Sequence, residues 1–243
     1  MNSENLDIRN CDCMEMMREF PDKHFDLAIV DPPYGVGSIT YMPCKRESAV
    51  GGFIDTYNIV VATLNMNHRS KMLVNIVHSD CSKTTIKNFG DENVAPPPEY
   101  FKELFRVSKH QIIWGGNYFL LPPSRCFVAW RKTNVPENFS MAMCEYAWTS
   151  FCKPAKYVEA NPQGSAKNKR IHPTQKPVDL YLFLLRHFAE RGARILDTHM
   201  GSGSIAIACH QFGATLTACE LDADYYTAAL DRIKRETAQE NLC

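Results

Sequence analysis

Residues 194–204 read RILDTHMGSGS, a short apolar strand followed by a glycine-containing loop and the start of a helix. Gly201 and Gly203 allow the backbone of such a loop to approach a ligand closely, and the following helix N-terminus favours anionic groups. Glu220 ends the next apolar run, where an acidic side chain can accept hydrogen bonds from both hydroxyls of a ribose. This order predicts a nucleotide-type cofactor pocket in an α/β sheet. The absence of a third fingerprint glycine favours a cofactor without a pyrophosphate over a dinucleotide.

A second motif ends the apolar run 25–30, because residues 31–34 read DPPY. Asp31 contributes a carboxylate and Pro32 a carbonyl, two acceptors that can hold both hydrogens of an exocyclic amine and free its lone pair for attack. Pro32 and Pro33 make the turn rigid, and Tyr34 can stack on a base taken out of a duplex. The motif alone is equally compatible with a strand-to-turn junction, because Asp-Pro and Pro-Pro are common loop signals.

The apolar periodicity predicts an alternation of strands and helices that is typical of a parallel α/β sheet. Strands are expected at 6–12, 25–30, 111–114, 126–130, 144–151, 194–196 and 215–221, and helices at 14–20, 98–107, 177–190, 205–212 and 223–237. The strand 6–12 is expected beside the strand 25–30. Residues 38–98 interrupt the alternation and are expected to form an inserted loop or subdomain within one domain, 1–243, with short strands at 59–61 and 73–77.

Composition narrows the class of protein. The 27 Lys and Arg balance the 27 Asp and Glu, so a nucleic-acid role has to rest on local patches such as residues 167–172. No apolar stretch approaches the roughly 20 residues that cross a bilayer, and no signal sequence opens the chain, so a cytoplasmic protein without a membrane partner is expected. The ten cysteines show no paired C-x-x-C spacing, which favours reduced thiols and predicts no metal site.

Together the motifs resemble those of S-adenosylmethionine-dependent DNA amino-methyltransferases of the permuted β class, particularly the short orphan adenine methylases of bacteria and phages. In that class the DPPY motif precedes the glycine motif, as it does here. Further matching stretches are RNCDC at 9–13, residues 101–119, AWTS at 147–150, HPTQKP at 172–177 and ELDADYY at 220–226. The resemblance covers residues 6–37 and 90–236, and it implies a Rossmann-like methyltransferase sheet in circularly permuted order.

The resemblance also implies roles for individual residues, with residues 31–34 as the catalytic and base-stacking group. Asp12 is expected to bind the adenine amine of S-adenosylmethionine, and Lys176 to lie near its methionine carboxylate. The implied cofactor ligands are Asp12, Cys13, Asp31, Lys176, Asp197, Met200, Gly201, Ser202, Gly203, Glu220, Leu221 and Asp222. Thr174 is expected to cap the helix that begins near Pro177, whereas His172 and His199 receive no role.

Two features depart from the class. Where it usually has Asp-Pro-Phe before the glycines, residues 197–200 read DTHM, and Met200 is expected to replace the aromatic contact with the cofactor. The usual target-recognition region is reduced to residues 153–171. The insertion 38–98, which contains several Lys and Arg, is therefore a second candidate surface for double-stranded DNA.

The predicted reaction is N6 methylation of a flipped adenine in double-stranded DNA. N4 methylation of cytosine is the nearest alternative, although that specificity more often has Ser in place of Asp31. A protein or RNA amino-methyltransferase would usually place the glycine loop first. A DNA-binding homologue without activity and a dinucleotide-dependent dehydrogenase are the alternatives from other classes. The sequence leaves open the DNA target sequence, the formation of a homodimer and the existence of a cognate restriction nuclease.

Overall fold

The computed structural model describes residues 5–35, 59–64, 71–76, 94–135, 142–162 and 170–239. The chain divides into two compact units, one formed by Met1–Pro32 with Pro96–Cys243 and the other by Pro33–Ala95. No helix in the described ranges has the length and apolar composition that crossing a bilayer requires.

The first unit is built around an eight-stranded sheet with helices packed on it. Its strands are β1 (Leu6–Asn10), β2 (Phe25–Val30), β5 (Ser108–Trp114), β6 (Phe127–Lys132), β7 (Cys144–Thr149), β8 (Lys156–Ala160), β9 (Arg194–Asp197) and β10 (Thr215–Glu220). Its helices are α1 (Cys13–Arg18), α2 (Pro98–Val107), α3 (Val178–Phe188), α4 (Ser204–Phe212) and α5 (Ala223–Gln239).

The second unit contains an antiparallel pair, β3 (Ile59–Leu64) and β4 (Lys71–Ile76), joined in register from Ile59 opposite Ile76 to Leu64 opposite Lys71. This pair occupies the two places where the sequence predicts short strands. Of the predicted insertion 38–98, only 59–64, 71–76 and 94–98 are among the described residues.

The strand order in the large sheet is β1-β10-β9-β2-β5-β7-β6-β8. The first five strands in this order, β1, β10, β9, β2 and β5, are parallel to one another. Strand β7 is antiparallel to β5 and β6, and β8 is parallel to β6. The prediction of a mainly parallel α/β sheet is confirmed. The expectation that β1 lies beside β2 is wrong, because β1 pairs with β10, where the Asn10 side chain donates hydrogen bonds to the carbonyls of Glu220 and Leu221 at 2.8 and 3.0 Å.

Strand β2 is buried along almost its whole length, as expected for a continuous apolar run in the middle of a parallel sheet. Alternate side chains point to opposite faces of the sheet. Leu27 and Ile29 pack in the core that includes α3 and α4, whereas Ala28 and Val30 pack in the core that includes α1 and α2. Burial on both faces fixes the end of β2, which the DPPY motif follows.

Two local features differ from the sequence prediction. Strand β8 lies within the predicted target-recognition region 153–171, where residues alternate between half-buried and exposed; residues 163–169 of that region lie outside the described part of the chain. Helix α3 has Pro177 at its N-cap with no side-chain capping bond, so the assignment of Thr174 as the cap is wrong. The Thr174 hydroxyl instead lies 3.1 Å from His172 Nδ1, in a turn that precedes the helix.

Candidate active site

Four acidic side chains lie at the carboxyl ends of four neighbouring strands. Asp197 and Glu220 end β9 and β10, Asp31 directly follows β2, and Asp12 comes shortly after β1. Because these strands are parallel, their carboxyl ends meet at one edge of the sheet, which is where open α/β sheets bind ligands. The structure therefore brings Asp31 and the glycine loop, which are far apart in sequence, to the same edge.

Asp31 belongs to a line of alternating charges. Lys176 Nζ donates a hydrogen bond to Asp31 Oδ2 and lies 3.2 Å from Glu145 Oε2, while Lys132 Nζ lies 2.7 Å from Glu145 Oε1. Lys176 Nζ also lies 5.1 Å from the centre of the Trp114 ring, which is within cation–π distance. Asp31 and Lys176 were identifiable from sequence motifs. Glu145 was missed because it occupies an ordinary position in the predicted strand 144–151, and Lys132 was missed because it lies just beyond the predicted strand 126–130.

Neighbouring opposite charges in this line keep Lys176 and Glu145 in the ionised form. Burial by itself would lower the pKa of Lys176, but the negative charges of Asp31 and Glu145 outweigh it and raise that pKa. Burial by itself would raise the pKa of Glu145, but Lys176 and Lys132 lower it below the usual range of a glutamate. Lys176 and Glu145 are therefore charged at neutral pH. The expected contact of Lys176 with a methionine carboxylate stays a prediction.

The loop between β9 and α4 needs glycine at two positions. Gly201 and Gly203 have φ values of +54° and +74°, in the left-handed region that side chains disfavour. A Cβ at Gly203 would also lie 2.8 Å from Ile233 Cδ1. The Gly201 amide donates to Glu220 Oε2 at 2.8 Å and the Asp222 amide donates to Oε1 at 3.1 Å. Each carboxylate oxygen has a further lone pair, so Glu220 can hold the loop and still accept from a ligand hydroxyl.

The other predicted residues of this loop are buried. Burial raises the pKa of Asp197 to about 8, with the nearby charge of Asp31 acting in the same direction, and Asp197 Oδ1 accepts the His199 amide at 3.0 Å. Met200 packs in the hydrophobic core, and Ser202 Oγ lies 3.2 Å from Ser204 Oγ. These three residues support the loop from the interior, and their contact with a cofactor stays a prediction.

The remaining predicted cofactor ligands lie next to two helix N-termini. Asp12 Oδ1 accepts two amide hydrogen bonds from the first turn of α1, at 2.7 and 3.2 Å, and Asp222 Oδ1 accepts two from the first turn of α5, at 2.8 and 2.9 Å. Cys13 is a neutral thiol, because burial raises its pKa to about 12. Leu221 is 72% exposed at the end of β10, where its side chain is accessible to a ligand.

Two histidines to which the sequence assigned no role contact the same loop. His199 is linked through Thr198 to Tyr100, with Nδ1 to Oγ1 at 2.9 Å and Oγ1 to Oη at 2.6 Å. Burial lowers the pKa of His199 to about 4, so its ring is neutral. The His172 ring lies 3.5 Å from the position of a Cβ on Gly201. The DTHM departure and the HPTQKP motif were the signals that could have drawn attention to these rings.

Solved structures identify the class of this fold. The M1.HpyAVI–SAM complex matches with a TM-score of 0.51 and 18% identity, over 93% of this chain and 99% of that chain. PvuII DNA methyltransferase, described as cytosine-N4-specific, matches with a TM-score of 0.55 and 12% identity, over 97% of this chain and 92% of that one. At these identities the likeness is one of fold, and the fold is that of Rossmann-like methyltransferases.

The sequence then gives the family. The chain belongs to the N6/N4 methyltransferase family described as DNA methylase, whose profile matches residues 109–231. A relative, the type II methyltransferase M2.MboI of Moraxella bovis, is 22% identical over 85% of this chain and 80% of its own length. The matched range includes the glycine loop, Lys176 and Glu145, whereas the DPPY motif lies ahead of it.

Proposed function

We propose that this DNA methylase transfers a methyl group from S-adenosylmethionine to the N6 amine of adenine in double-stranded DNA, after the base has been flipped out of the helix. The observation that carries the proposal is the position of Asp31, which lies at the end of β2 and is held by Lys176 at the sheet edge that also carries the glycine loop. This arrangement brings an acceptor for a base amine and a nucleoside-binding loop to one edge.

The chain's own residues orient the amine. The Asp31 carboxylate and the Pro32 carbonyl accept its two hydrogens, which directs the nitrogen lone pair away from the ring and toward the methyl carbon. Tyr34 stacks on the flipped base. Bound S-adenosylmethionine would supply an electrophilic methyl carbon and would keep the electron pair of its broken C–S bond, while the nitrogen lone pair would form the new N–C bond and the released proton would pass to solvent water.

The glycine loop and Glu220 fit a nucleoside cofactor. Glu220 is fixed by two backbone amides and accepts from the ribose hydroxyls through its other lone pairs. Asp12 uses Oδ1 for its two helix-capping bonds, and its exposed carboxylate contacts the adenine amine. Cys13, Met200, Ser202, Leu221 and Asp222 line or support the same pocket.

Adenine is favoured over cytosine by the residue that precedes Pro-Pro-Tyr. A carboxylate at Asp31 is a stronger acceptor for an amine than the serine hydroxyl that is more usual for N4 methylation of cytosine. The DPPY motif ahead of the glycine motif is the order of the permuted β class. The candidate surfaces for reading the DNA target are the short region 153–171 and the insertion 38–98.

Expression in a methylation-deficient bacterium tests the proposal. Genomic DNA is hydrolysed and analysed by mass spectrometry, and the modified positions are read across the genome. N6-methyladenine in a fixed sequence context is the expected product, and its absence from cells that express an Asp31→Asn variant is the matched control. DNA that contains only N4-methylcytosine would show that cytosine is the substrate. Unmodified DNA would overturn the proposal.

A further inference from the structure

The line Lys132–Glu145–Lys176–Asp31 crosses the interior between β6, β7, the start of α3 and β2. Its members are largely buried, with side-chain exposures of 8%, 23%, 4% and 14% in that order. Positive and negative charges alternate along the line, so its formal charge sums to zero. Lys176 stands at the branch point, because its ammonium is shared between two carboxylates.

Stability alone is a poor explanation for such a line. Buried ion pairs are often no more stabilising than apolar side chains of the same volume, because desolvation offsets most of the attraction. Asp31 and Lys176 by themselves would already form a neutral pair. Glu145 adds a second negative charge next to Lys176, and Lys132 then neutralises Glu145 at its far side, at 2.7 Å from Oε1.

The second carboxylate changes what Asp31 can do. If Asp31 were the sole partner of Lys176, the ammonium would bind it more tightly and compete with the base amine for the same carboxylate. The amine nitrogen also becomes positive as it gains the methyl group, and an ammonium with one counter-ion beside it opposes that change. Glu145 places a negative charge 3.2 Å from the Lys176 ammonium, which offsets part of the repulsion between that ammonium and a nitrogen that is becoming positive.

We infer that Glu145, anchored by Lys132, is a positioning residue for methyl transfer, which holds part of the charge of Lys176 away from Asp31 and so keeps Asp31 a strong acceptor for the base amine. This inference rests on the proposed function. Glu145 acts through Lys176, so its loss should slow the transfer step without weakening the binding of the cofactor.

The test uses the full chain and the isosteric substitution Glu145→Gln. We expect the single-turnover rate of methyl transfer to DNA to fall by about tenfold or more. The dissociation constant for S-adenosylmethionine, measured by calorimetry, should rise by no more than about threefold, since the glycine loop and Glu220 are untouched. A general loosening of the fold would instead weaken binding together with the rate.

Glu103→Gln is the matched control. Glu103 is also a partly buried glutamate in an ion pair, with Arg106 Nε at 2.7 Å, but it lies on α2, outside the line and outside both candidate DNA-reading surfaces. The rate of this variant should equal that of the wild type. If Glu145→Gln fails to fold, Glu145→Asp replaces it, because aspartate keeps the charge but moves it away from Lys176 by one methylene. We expect the same fall in rate and the same cofactor affinity for that variant.

The outcomes separate the two proposals. If the wild type transfers methyl groups and the Glu145 variant stays within about twofold of it, or loses cofactor affinity as much as rate, the role of Glu145 is overturned and the proposed function stands. If the wild type transfers no methyl group to DNA, the proposed function fails and the inference fails with it.

Discussion

The backbone amide of Gly201 donates a hydrogen bond to Glu220 Oε2 at 2.8 Å. This bond joins the loop that follows β9 to the end of β10, its neighbour in the sheet. Glu220 therefore has two tasks, since it shapes the glycine loop and presents a carboxylate to whatever the loop binds. The two tasks can be separated experimentally.

Replacing Glu220 with alanine should weaken S-adenosylmethionine binding by about 1.5–3 kcal/mol, because two charge-assisted hydrogen bonds to the ribose are lost. Calorimetry measures the change directly. Glu220→Gln keeps one oxygen acceptor for the Gly201 amide and should bind with intermediate affinity. An unchanged dissociation constant for the alanine variant would show that the ribose is held by other residues.

Asp31→Asn should abolish methyl transfer, with a loss of about a hundredfold or more, while cofactor affinity changes by only a few-fold. The substitution preserves the shape of the side chain but replaces one acceptor oxygen with a donor that repels the amine hydrogens. Radiolabel transfer to DNA and calorimetry give the two quantities. Parallel loss of both would count against a role of Asp31 on the base amine.

Asp197 should make the folded protein less stable as the pH rises. Its folded pKa of about 8 is above its ordinary value of 3.8, so its contribution is fully present below 3.8 and is lost as the pH rises through 8. Asp197→Asn retains an oxygen acceptor for the His199 amide and does not ionise. We expect the variant to gain stability relative to the wild type across this interval, as measured by urea unfolding. If the free energies of unfolding of the variant and the wild type change in parallel with pH, the pH dependence does not arise from Asp197.

Gly203→Ala should destabilise the protein more than Gly213→Ala. Both glycines have a positive φ, +74° and +79°, so each alanine carries a strain of about 1–2 kcal/mol. A Cβ at Gly213 meets no atom of the described residues within 4 Å, whereas at Gly203 it meets Ile233 Cδ1 at 2.8 Å. The free energy of unfolding in urea, measured for both variants, separates the backbone strain of Gly213→Ala from the strain and overpacking of Gly203→Ala. Ile233→Val should recover part of the loss in the Gly203 variant, and equal losses at the two glycines would contradict the clash.

The local part of the site could be predicted from the sequence. Asp31, Asp197 and Glu220 each follow or end an apolar run, and parallel strands bring such positions to one edge without further information. The glycine loop at Gly201 and Gly203 could be predicted equally well, because it is formed by residues that are adjacent in sequence. Most of the strands and helices were placed within a few residues of their observed bounds.

Non-local relationships could not be predicted. The pairing of β1 with β10 depends on contacts between opposite ends of the chain, and adjacent elements in sequence suggested β2 instead. No local sequence pattern marks Glu145 and Lys132, because their ion pairs form only when β6 and β7 bring them close to Lys176. The Thr174 cap failed for a local reason, because its hydroxyl lies against the His172 ring and the helix has Pro177 at its N-cap.

The order β1-β10-β9-β2 has a consequence for biosynthesis. Strands β1 and β2 are synthesised well before β9 and β10, yet β9 and β10 lie between them in the sheet. Hydrogen bonds that span so much sequence form slowly, because closing a long loop precedes the gain from pairing. The cofactor edge can therefore assemble only after β9 and β10 have been synthesised, because both strands have to enter between β1 and β2.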